Sequence, residues 1–395
     1  MPRAKKTSQL KQVAVIYDAK LRYDVKVIEG VAAYVREVND WDIYIEENAL
    51  QNQQLPDLRS WKGDGILADF DDPAVAKAVM ISGITSVAFG GGYGWYNPAS
   101  KIPYFYTNNA AVADLAAEHL LQRGFRHYAF CGYRRTPING WSDERAQVFS
   151  RRIRAAGFPC QYYRGPKHAA RDWPAFRDSL ARWLHSLPRP VAVMAASDKR
   201  ARQVLDACRF AGFRVPDDIA VVGVDNDEML CQLCTPPLSS VEQGARRLGY
   251  EAAALLDRMM KGVKPASLRV VVDPAAVVAR QSTDILSVED AEVRQALKEI
   301  NQFACDGITP REITRKVGCA RSTLELRFGQ ALGRSIFPEI RRVRISPAEQ
   351  LVRETALPLK QVAARCAFRS VQHMTTTFKQ QLGKTPGKLR REGGI

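Results

Sequence analysis

The sequence contains no long apolar run and few histidines. No window approaches the about 18 consecutive apolar residues of a membrane span, and the first eleven residues lack the apolar core of a secretory signal. We therefore expect a cytoplasmic protein without membrane association. The five histidines are dispersed, and no HExxH, GxSxG or Walker A lysine loop occurs. An enzyme is accordingly disfavoured, and we expect no catalytic residue, no metal and no cofactor.

The cysteines do not form a recognisable metal or redox motif. The one close pair is Cys231-x-x-Cys234, and no second pair or histidine follows it at the spacing of a zinc ribbon. The pattern therefore predicts structural thiols rather than metal ligands. The remaining cysteines lie in apolar segments: Cys131, Cys160, Cys208, Cys305, Cys319 and Cys366.

Length and charge indicate several domains and a polyanionic partner. A chain of 395 residues corresponds to two or three domains. The 58 Lys and Arg against 42 Asp and Glu give a net charge of +16, which favours nucleic acid as the large partner. Residues 286–395 hold 20 Lys and Arg against 11 Asp and Glu. The basic charge is thus concentrated in the last 110 residues.

Strand-like and helix-like segments alternate up to about residue 280. The first unit is an apolar run at 12–17, an amphipathic stretch at 24–38 and an extended segment at 41–46. Because parallel strands need crossover helices, the repeated alternation predicts doubly wound α/β layers with parallel sheets. About ten strands is the usual limit of one sheet, so we expect two lobes that face a cleft.

The character of the sequence changes after Arg280. The polar stretch 281–290 has no periodicity, and the residues beyond it favour helices throughout. We predict an α/β region at 1–280, a linker at 281–290 and an all-α domain at 291–395. The expected fold is a two-lobed α/β region joined to a helical domain.

The C-terminal part contains two helix-turn-helix patterns. In the first, Thr309, Pro310 and Glu312 form the start signal of a helix that ends before Gly318, and a second helix follows at 320–332. The second pattern spans 358–366 and 370–382, and a long helix at 335–354 connects the two. Two recognition helices on one connector can enter successive major grooves of double-stranded DNA.

The run AFRSVQHMTTTFKQQLGKTPGKLRRE resembles the signature of AraC-type transcription regulators. Ala367 replaces the usual glycine, so the turn is expected to be less relaxed, and Met374 replaces the usual phenylalanine. The resemblance covers about residues 288–392 and implies base contacts by the recognition helices, with phosphate contact or a solvated helix face as the alternative for each residue. The candidates are Arg321, Ser322, Glu325 and Arg327 in the first unit and Arg369, Gln372, His373 and Thr376 in the second.

Residues 11–280 resemble the periplasmic-binding-protein-like sensor of LacI/GalR-type regulators. The resemblance is carried by SDKRARQVLDACRFAGFRVPDDIAVVGVDND at 197–227, by GWSDERAQVFSRRIRAAGF at 140–158 and by Asn108-Asn109, which open a helix. In that family the ligand lies between the lobes at the carboxyl ends of the strands. Arg145 and Asp225 match the sugar-contacting arginine and aspartate. Other expected cleft residues are Asp69, Asn108, Asn109, Ser197 and Asp198, with Trp141, Trp95 or Tyr23 stacking on a sugar ring.

Several of these assignments have a plain structural alternative or a departure from the pattern. Asp198 could serve only as the N-cap of its helix. Asn108 stands where an aspartate is common, which leaves the preferred sugar open. The aromatic residues could be ordinary core or rim side chains.

A LacI-like sensor followed by an AraC-type tail is the layout of the bacterial xylose-operon activators. The runs YDVKVIEG, WDIYIEE and GDGILADFDD also resemble that family. The resemblance implies an activator that binds D-xylose, forms a homodimer and works with RNA polymerase. The alternatives are a regulator, activating or repressing, that responds to another aldose or polyol, and a sugar-binding enzyme or transport component.

Overall fold

The computed structural model describes residues 10–46, 58, 60–90, 101–136, 139–165, 173–284, 290–355 and 357–392. The chain forms two compact units. The first, the sensor unit, contains residues 1–119 and 127–282, and the second, the helical unit, contains residues 120–126 and 283–395. No helix in the described ranges is both long and apolar enough to cross a bilayer.

The sensor unit contains two six-stranded sheets. In the first sheet all neighbouring strands run parallel, in the order β11-β5-β4-β3-β1-β2. In the second, with the order β12-β10-β9-β8-β6-β7, only β12 is antiparallel to its neighbour. The strands are β1 Lys11–Ile16, β2 Trp41–Glu46, β3 Gly65–Asp69, β4 Ser86–Gly90, β5 Tyr104–Thr107, β6 His127–Cys131, β7 Cys160–Tyr163, β8 Val191–Ala195, β9 Ile219–Val224, β10 Ser239–Glu242, β11 Arg269–Val272 and β12 Ala276–Val278.

Helices cover these sheets because the strands are apolar on both faces. In β1, Val13 and Val15 join one buried cluster, whereas Ala14 and Ile16 join another on the opposite face. The predicted doubly wound, two-lobed α/β fold is thereby confirmed. The helices are α1 Arg22–Val38, α2 Pro73–Ser82, α3 Asn109–Leu121, α4 Gly140–Ala155, α5 Trp173–His185, α6 Asp198–Phe210, α7 Glu228–Leu233 and α8 Ala245–Met260.

Two glycines let α1 and α8 touch backbone to backbone. A Cβ at Gly30 would lie 1.9 Å from the carbonyl oxygen of Arg246, and one at Gly249 would lie 1.8 Å from that of Val27. Neither position can carry a side chain without separating the helices. This contact joins α1 and α8, which pack on the same face of the first sheet.

The sequence missed some elements between residues 225 and 280. Helix α8 begins at Ala245, and its N-cap Gly244, with a φ of 78°, lies two residues after the end of β10. Within residues 269–278 lie two short strands, β11 and β12, which belong to different sheets. Short strands of three or four residues give too little periodicity to be separated from loops.

The helical unit contains the two predicted helix-turn-helix arrangements. Both halves have their own buried cluster, one around Phe328 and one around Phe378. The predicted capping box is present, with Thr309 and Glu312 bonded reciprocally, and Gly318 ends the helix at a φ of 74°. The helices are α9 Ala291–Phe303, α10 Pro310–Val317, α11 Arg321–Leu332, α12 Ile336–Glu354, α13 Leu359–Arg365, α14 Val371–Leu382 and α15 Pro386–Glu392.

The segment predicted as linker starts as ordered structure. Residues 281–283 form a 3-10 turn in which Ser282 is buried, donates to the carbonyl of Val221 at 2.6 Å and accepts from the amide of Ser239 at 2.8 Å. The end of the sensor is thus attached to its second sheet. Residues 285–289 of the predicted linker lie outside the described residues.

Candidate sugar and DNA sites

Carboxyl groups gather at the carboxyl edge of the first sheet. Asp69 ends β3, and its Oδ1 accepts from the amide of Asp71 at 2.8 Å. Asp69 also hydrogen-bonds to Asp24, on the first turn of α1. Both side chains are buried, and burial together with neighbouring negative charge raises the pKa of each. The pair therefore retains a proton at neutral pH and offers both a hydroxyl donor and carboxylate acceptors.

Tyr23 lies beside this carboxyl pair and connects two strand ends. Its hydroxyl donates to the carbonyl of Gly90 at 3.3 Å and accepts from Thr107 Oγ1 at 3.1 Å. Burial raises the pKa of Tyr23, so the phenol remains protonated. The phenol of Tyr23 is accordingly engaged with strand ends.

Arg145 organises the carboxyl edge of the second sheet. This buried side chain of α4 uses three nitrogens on three different acceptors. Nε donates to Asn109 Oδ1 at 2.8 Å, Nη1 to the carbonyl of Ala196 at 2.7 Å and Nη2 to Gln243 Oε1 at 2.6 Å. Burial lowers the pKa of Arg145 to about 10, and the guanidinium is still charged at neutral pH.

Asp225 joins this cluster through Gln243. The Gln243 amide nitrogen donates to Asp225 Oδ1, and burial raises the pKa of the aspartate to about 6, against the opposing charges of Arg145 and Lys26. Asp225 has a φ of 113°, which an L-residue rarely adopts. Strained backbone of this kind is typical of binding sites. Arg145 and Asp225, predicted as the sugar-contacting pair, thus meet around one glutamine.

Lys26 connects the edges of the two sheets. It is a buried residue of α1, the helix that connects β1 to β2 of the first sheet. Its Nζ donates to the carbonyl of Asp225 at 2.7 Å and to the carboxylate of Glu242 at the end of β10 in the second sheet. The carboxyl edges of the two sheets therefore face each other, as an interlobe ligand site requires.

Two predicted residues, Ser197 and Asp198, hold neighbouring segments of this site. Ser197 caps α6 by accepting from the amide of Arg200 at 3.3 Å, and it also bonds to the hydroxyl of Tyr133 at 2.8 Å. Asp198 accepts from Ser240 Oγ at 2.5 Å and from the amide of Asp227 at 2.8 Å. The suggested capping role of Asp198 is therefore wrong, since Ser197 is the N-cap, and Asp198 holds the segment that follows Asp225.

The remaining predicted cleft residues have different environments. Asn108 is the residue before α3; its Oδ1 accepts from the amide of Ala111 at 3.0 Å, and its Nδ2 donates to Asp273 at 2.9 Å. Trp141 is half-buried, with the guanidinium of Arg145 4.7 Å from its ring centroid. The indole is thus positioned on the Arg145 cluster. Trp95 lies outside the described residues.

Sequence reasoning missed three residues of the cluster. Lys26 lies in the run YDVKVIEG, which carried the family resemblance, and Glu242 and Gln243 end or follow β10, but none of the three was selected. A polar residue directly after a short strand was the available signal for Gln243. A buried lysine such as Lys26 gives no such signal, because its role depends on a partner more than 190 residues away.

In the first recognition helix, α11, the four candidate DNA contacts divide into two pairs. Arg321 and Ser322 are exposed on its first turn. Glu325 accepts from the amide of Ile336 at 3.1 Å, and Arg327 Nη1 lies 2.6 Å from Glu292 Oε2. Base contact by Glu325 or Arg327 would require these bonds to be broken. Arg321 and Ser322 are exposed on the helix surface.

The second recognition helix, α14, and the turn before it present Arg369, Gln372 and Thr376 on an exposed face. His373 is half-buried, and its ring packs edge-on against Phe368 with centroids 5.8 Å apart. Burial and the positive charges of Arg341, Arg369 and Arg344 lower the pKa of His373. A neutral imidazole among arginines can accept or donate a hydrogen bond, whereas the arginines attract phosphate.

Family models match three consecutive parts of the chain. A XylR N-terminal domain matches residues 12–110, a periplasmic binding protein-like domain matches 117–283 and a helix-turn-helix domain matches 313–392. The xylose operon regulatory protein of Haemophilus influenzae is 33% identical over 385 residues, which are 97% of this chain and 99% of the relative. The chain belongs to the family of xylose operon regulatory proteins.

Other members and neighbours agree with this family assignment. The xylose operon regulatory protein of Escherichia coli is 33% identical over 96% of both chains. A solved structure described as the xylose-binding transcription activator XylR superposes with a TM-score of 0.64 at 32% identity, covering 98% of this chain and 99% of that one. The CelR–cellobiose complex, at 22% identity and a TM-score of 0.55 over 70% of this chain and 86% of that one, shares the sensor fold. Members of the family are transcription regulators, and this chain has their sensor and DNA-binding parts.

Proposed function

We propose that this protein binds D-xylose between the lobes of its sensor and then activates genes of xylose uptake and catabolism. The observation that carries the proposal is the buried Arg145, Asn109, Gln243 and Asp225 cluster, which faces the first sheet across the Lys26 bridge. The family supplies the regulatory role. The named xylose operon relatives and the xylose-binding structural neighbour support xylose as the effector.

The cluster has the chemistry that a pentose needs. Carboxylates accept from sugar hydroxyls, a guanidinium donates to adjacent oxygens, and amides do both. Asp225, Arg145 and Asn109 supply these three groups, and Arg145 bonds to Asn109 shortly after β5 of the first sheet. Asp69 and Asp24 supply carboxyls at the edge of the first sheet, and Trp141 supplies an apolar face for the ring.

The contacts between the two sheet edges explain how a bound ligand would hold the lobes closed. Lys26 already joins α1 to Asp225 and Glu242, and a sugar held by both edges would add further bonds that exist only when the lobes are closed. Such a sugar shifts the protein toward a DNA-binding state only if it binds that state more tightly. We place the sensor at 1–280, the coupling segment at 281–290 and the DNA-binding domain at 291–395.

Calorimetric titration of the purified protein with D-xylose, L-arabinose, D-ribose and D-glucose tests the effector. We expect heat with xylose and at least tenfold weaker binding of the other three. Tighter binding of another of the sugars would reassign the effector, with the Asn108 position as the first residue to exchange. No binding of any sugar would overturn the sensor part of the proposal.

The sign of regulation is tested by transcription in vitro. A xylose promoter, RNA polymerase and this protein should give more transcript when xylose is added. Less transcript would show a repressor built from the same parts. RNA polymerase is thus a proposed partner, together with double-stranded DNA in the cytoplasm.

We further propose that the protein acts as a homodimer. Met229 and Leu233 lie one turn apart on α7, and their side chains are 72% and 76% exposed. Neighbouring apolar side chains this accessible on a helix are typical of an interface, and a second copy is the partner that an operator with repeated half-sites requires. Light scattering should give a dimer, and the Met229→Ser and Leu233→Ser double variant a monomer. The exposed Val263→Ser variant is the control and should stay dimeric.

A further inference from the structure

Two thiols of the helical unit meet where its two halves join. Cys305 follows α9, and Cys366 directly follows α13, in the turn of the second helix-turn-helix. Cys305 packs against the buried cluster that contains Cys366, and the two thiols interact, with Cys366 as the donor. Cys305 is half-buried, whereas Cys366 is buried in the cluster around Phe378. The Cys305 thiol is thus partly accessible to solvent, whereas the Cys366 thiol is buried.

Arg344 of α12 holds the backbone on both sides of this pair. Its Nε donates to the carbonyl of Ala304 at 2.7 Å, and its Nη1 donates to the carbonyl of Ala367 at 2.7 Å. These are the residues adjacent to Cys305 and Cys366. A Cβ at Gly307 would lie 3.9 Å from that of Ala367, so the two turns also pack against each other. The thiols are held together by structure on both sides.

The electrostatic setting distinguishes this pair from the sensor cysteines. The Cys366 hydrogen bond and the positive charge of Arg344 lower the pKa of Cys305. Burial raises the pKa of the thiols in the sensor: Cys131, Cys160, Cys208, Cys231 and Cys234. Because the thiolate is the reactive form, Cys305 should react with an electrophile before any of those five.

We propose that Cys305 and Cys366 are a hydroperoxide-oxidisable dithiol whose disulfide weakens DNA binding by the second helix-turn-helix. This proposal goes beyond the expectation from the sequence, which treats the cysteines as structural thiols.

The reaction takes place in two balanced steps. The Cys305 thiolate attacks one oxygen of the hydroperoxide, the O–O bond breaks, and the leaving oxygen departs as hydroxide or alkoxide and takes a proton. Sulfur is oxidised to sulfenic acid and the peroxide is reduced. The Cys366 thiol then attacks the sulfenic sulfur, its proton leaves with the hydroxyl group as water, and the disulfide forms. A small dithiol such as dithiothreitol reverses the bond.

The disulfide acts on DNA binding through the turn that carries Arg369. A sulfur–sulfur bond is about 2.05 Å long, which is much shorter than a thiol hydrogen bond, so the two turns must approach. Ala367 cannot follow freely, because its φ is already 53° and its carbonyl is held by Arg344. The displacement passes to Arg369 and Ser370, the N-cap of α14, whose alignment the recognition helix needs.

The test treats the full-length protein with hydrogen peroxide and measures disulfides and operator affinity together. Peptide mapping without reductant should find Cys305 joined to Cys366. Operator affinity should fall about tenfold or more, which is the loss of one good base contact, and dithiothreitol should restore it. A lower affinity for sugar would instead indicate general damage and would count against the proposal.

The variant Cys305→Ser should form no such link and keep its operator affinity in peroxide. The control Cys319→Ser removes another half-buried thiol of the same unit and should behave as the unaltered protein. Circular dichroism establishes that both variants are folded. If another cysteine pair is linked, if Cys305 stays reduced, or if the linked protein binds its operator as before, the proposal is wrong. Peroxide sensitivity that persists in Cys305→Ser would also overturn it.

Discussion

Arg145 and Gln243 are joined by a 2.6 Å hydrogen bond that links α4 to the segment between β10 and α8. Gln243 can orient only one way in this bond: its carbonyl oxygen faces the guanidinium, so its amide nitrogen faces Asp225. A neutral amide therefore separates the positive and negative groups. Both charges remain close enough for a sugar to bridge without first breaking a direct ion pair, and the donors and acceptors are oriented before the ligand arrives.

Replacing Arg145 with alanine should abolish measurable sugar binding. The change leaves Asn109, Gln243 and the Ala196 carbonyl without their buried donor, and each loss costs about 1–3 kcal/mol. Calorimetry with D-xylose measures the effect. The control is Arg152→Ala on the same helix, where the guanidinium pairs with Glu118 at the surface and its loss should leave sugar affinity unchanged. Loss of salt-dependent DNA binding in Arg145→Ala as well would indicate misfolding and not a site effect.

Replacing Asp24 with asparagine should make the protein more stable at alkaline pH. Burial raises the pKa of Asp24 from 3.8 to about 8, so the folded chain keeps a proton that the unfolded chain releases. The stability that this group contributes is complete below pH 4 and is lost as the pH rises toward 8. Asparagine keeps an acceptor for the amide of Asp18 and removes the charge. We expect a gain of about 1–2 kcal/mol at pH 8 and little change near pH 4.

Urea unfolding at pH 4, 6 and 8 measures this difference. Asp42→Asn is the control, since that carboxylate is exposed on β2 and its removal should not alter the pH dependence. A pH profile of Asp24→Asn that parallels the unaltered protein would show that the carboxyl pair does not hold the proton.

The sequence predicted the parts of the site that lie at the ends of long elements. Arg145 and Asn109 belong to helices with clear periodicity. Asp69 is the last residue of β3 and Asp225 directly follows β9, and both strands are buried along their whole length. These positions follow from the rule that ligands bind at the carboxyl ends of parallel strands. Asp198, another predicted cleft residue, bonds to Ser240 and to the amide of Asp227, which gives it a supporting role.

The residues that were missed depend on contacts between distant segments. Lys26 bonds to Asp225 and Glu242 across the cleft, and Cys305 meets Cys366 across sixty residues. Local patterns carry no information about such pairs, because neither partner breaks the periodicity of its own helix or turn. The strain at Ala367 was the exception: an alanine in the place of a turn glycine predicted it, and a φ of 53° confirms it.

Operator binding by the full-length protein should weaken steeply with salt. The candidate contacts on both recognition helices include exposed arginines, and each phosphate contact that forms releases about 0.9 counterion. Between about 50 and 200 mM salt, a plot of log affinity against log salt concentration should be a straight line with a negative slope. The control titrates D-xylose over the same range, where the buried Arg145 cluster should give a much smaller slope. Salt-insensitive operator binding would remove the electrostatic basis of the DNA assignment.

Replacing Arg369 with alanine should relax sequence specificity at one position of the operator. Arg369 is exposed in the turn before α14, and Arg341 and Arg344 lie close enough to lower the pKa of His373 together with it. In so positive a region an arginine can contact phosphate on any DNA sequence. Only sequence selectivity therefore distinguishes a base contact from a phosphate contact. A bidentate contact to guanine contributes about 1–3 kcal/mol at its own base pair. Competition binding with operators substituted at single positions should therefore show discrimination lost at one base pair and retained at the others.

Arg391→Ala, which removes an exposed arginine of α15, is the control and should preserve discrimination at every position. A uniform loss across all operators in Arg369→Ala would make Arg369 a phosphate contact and leave Gln372 and Thr376 as the remaining exposed readers of the second half-site.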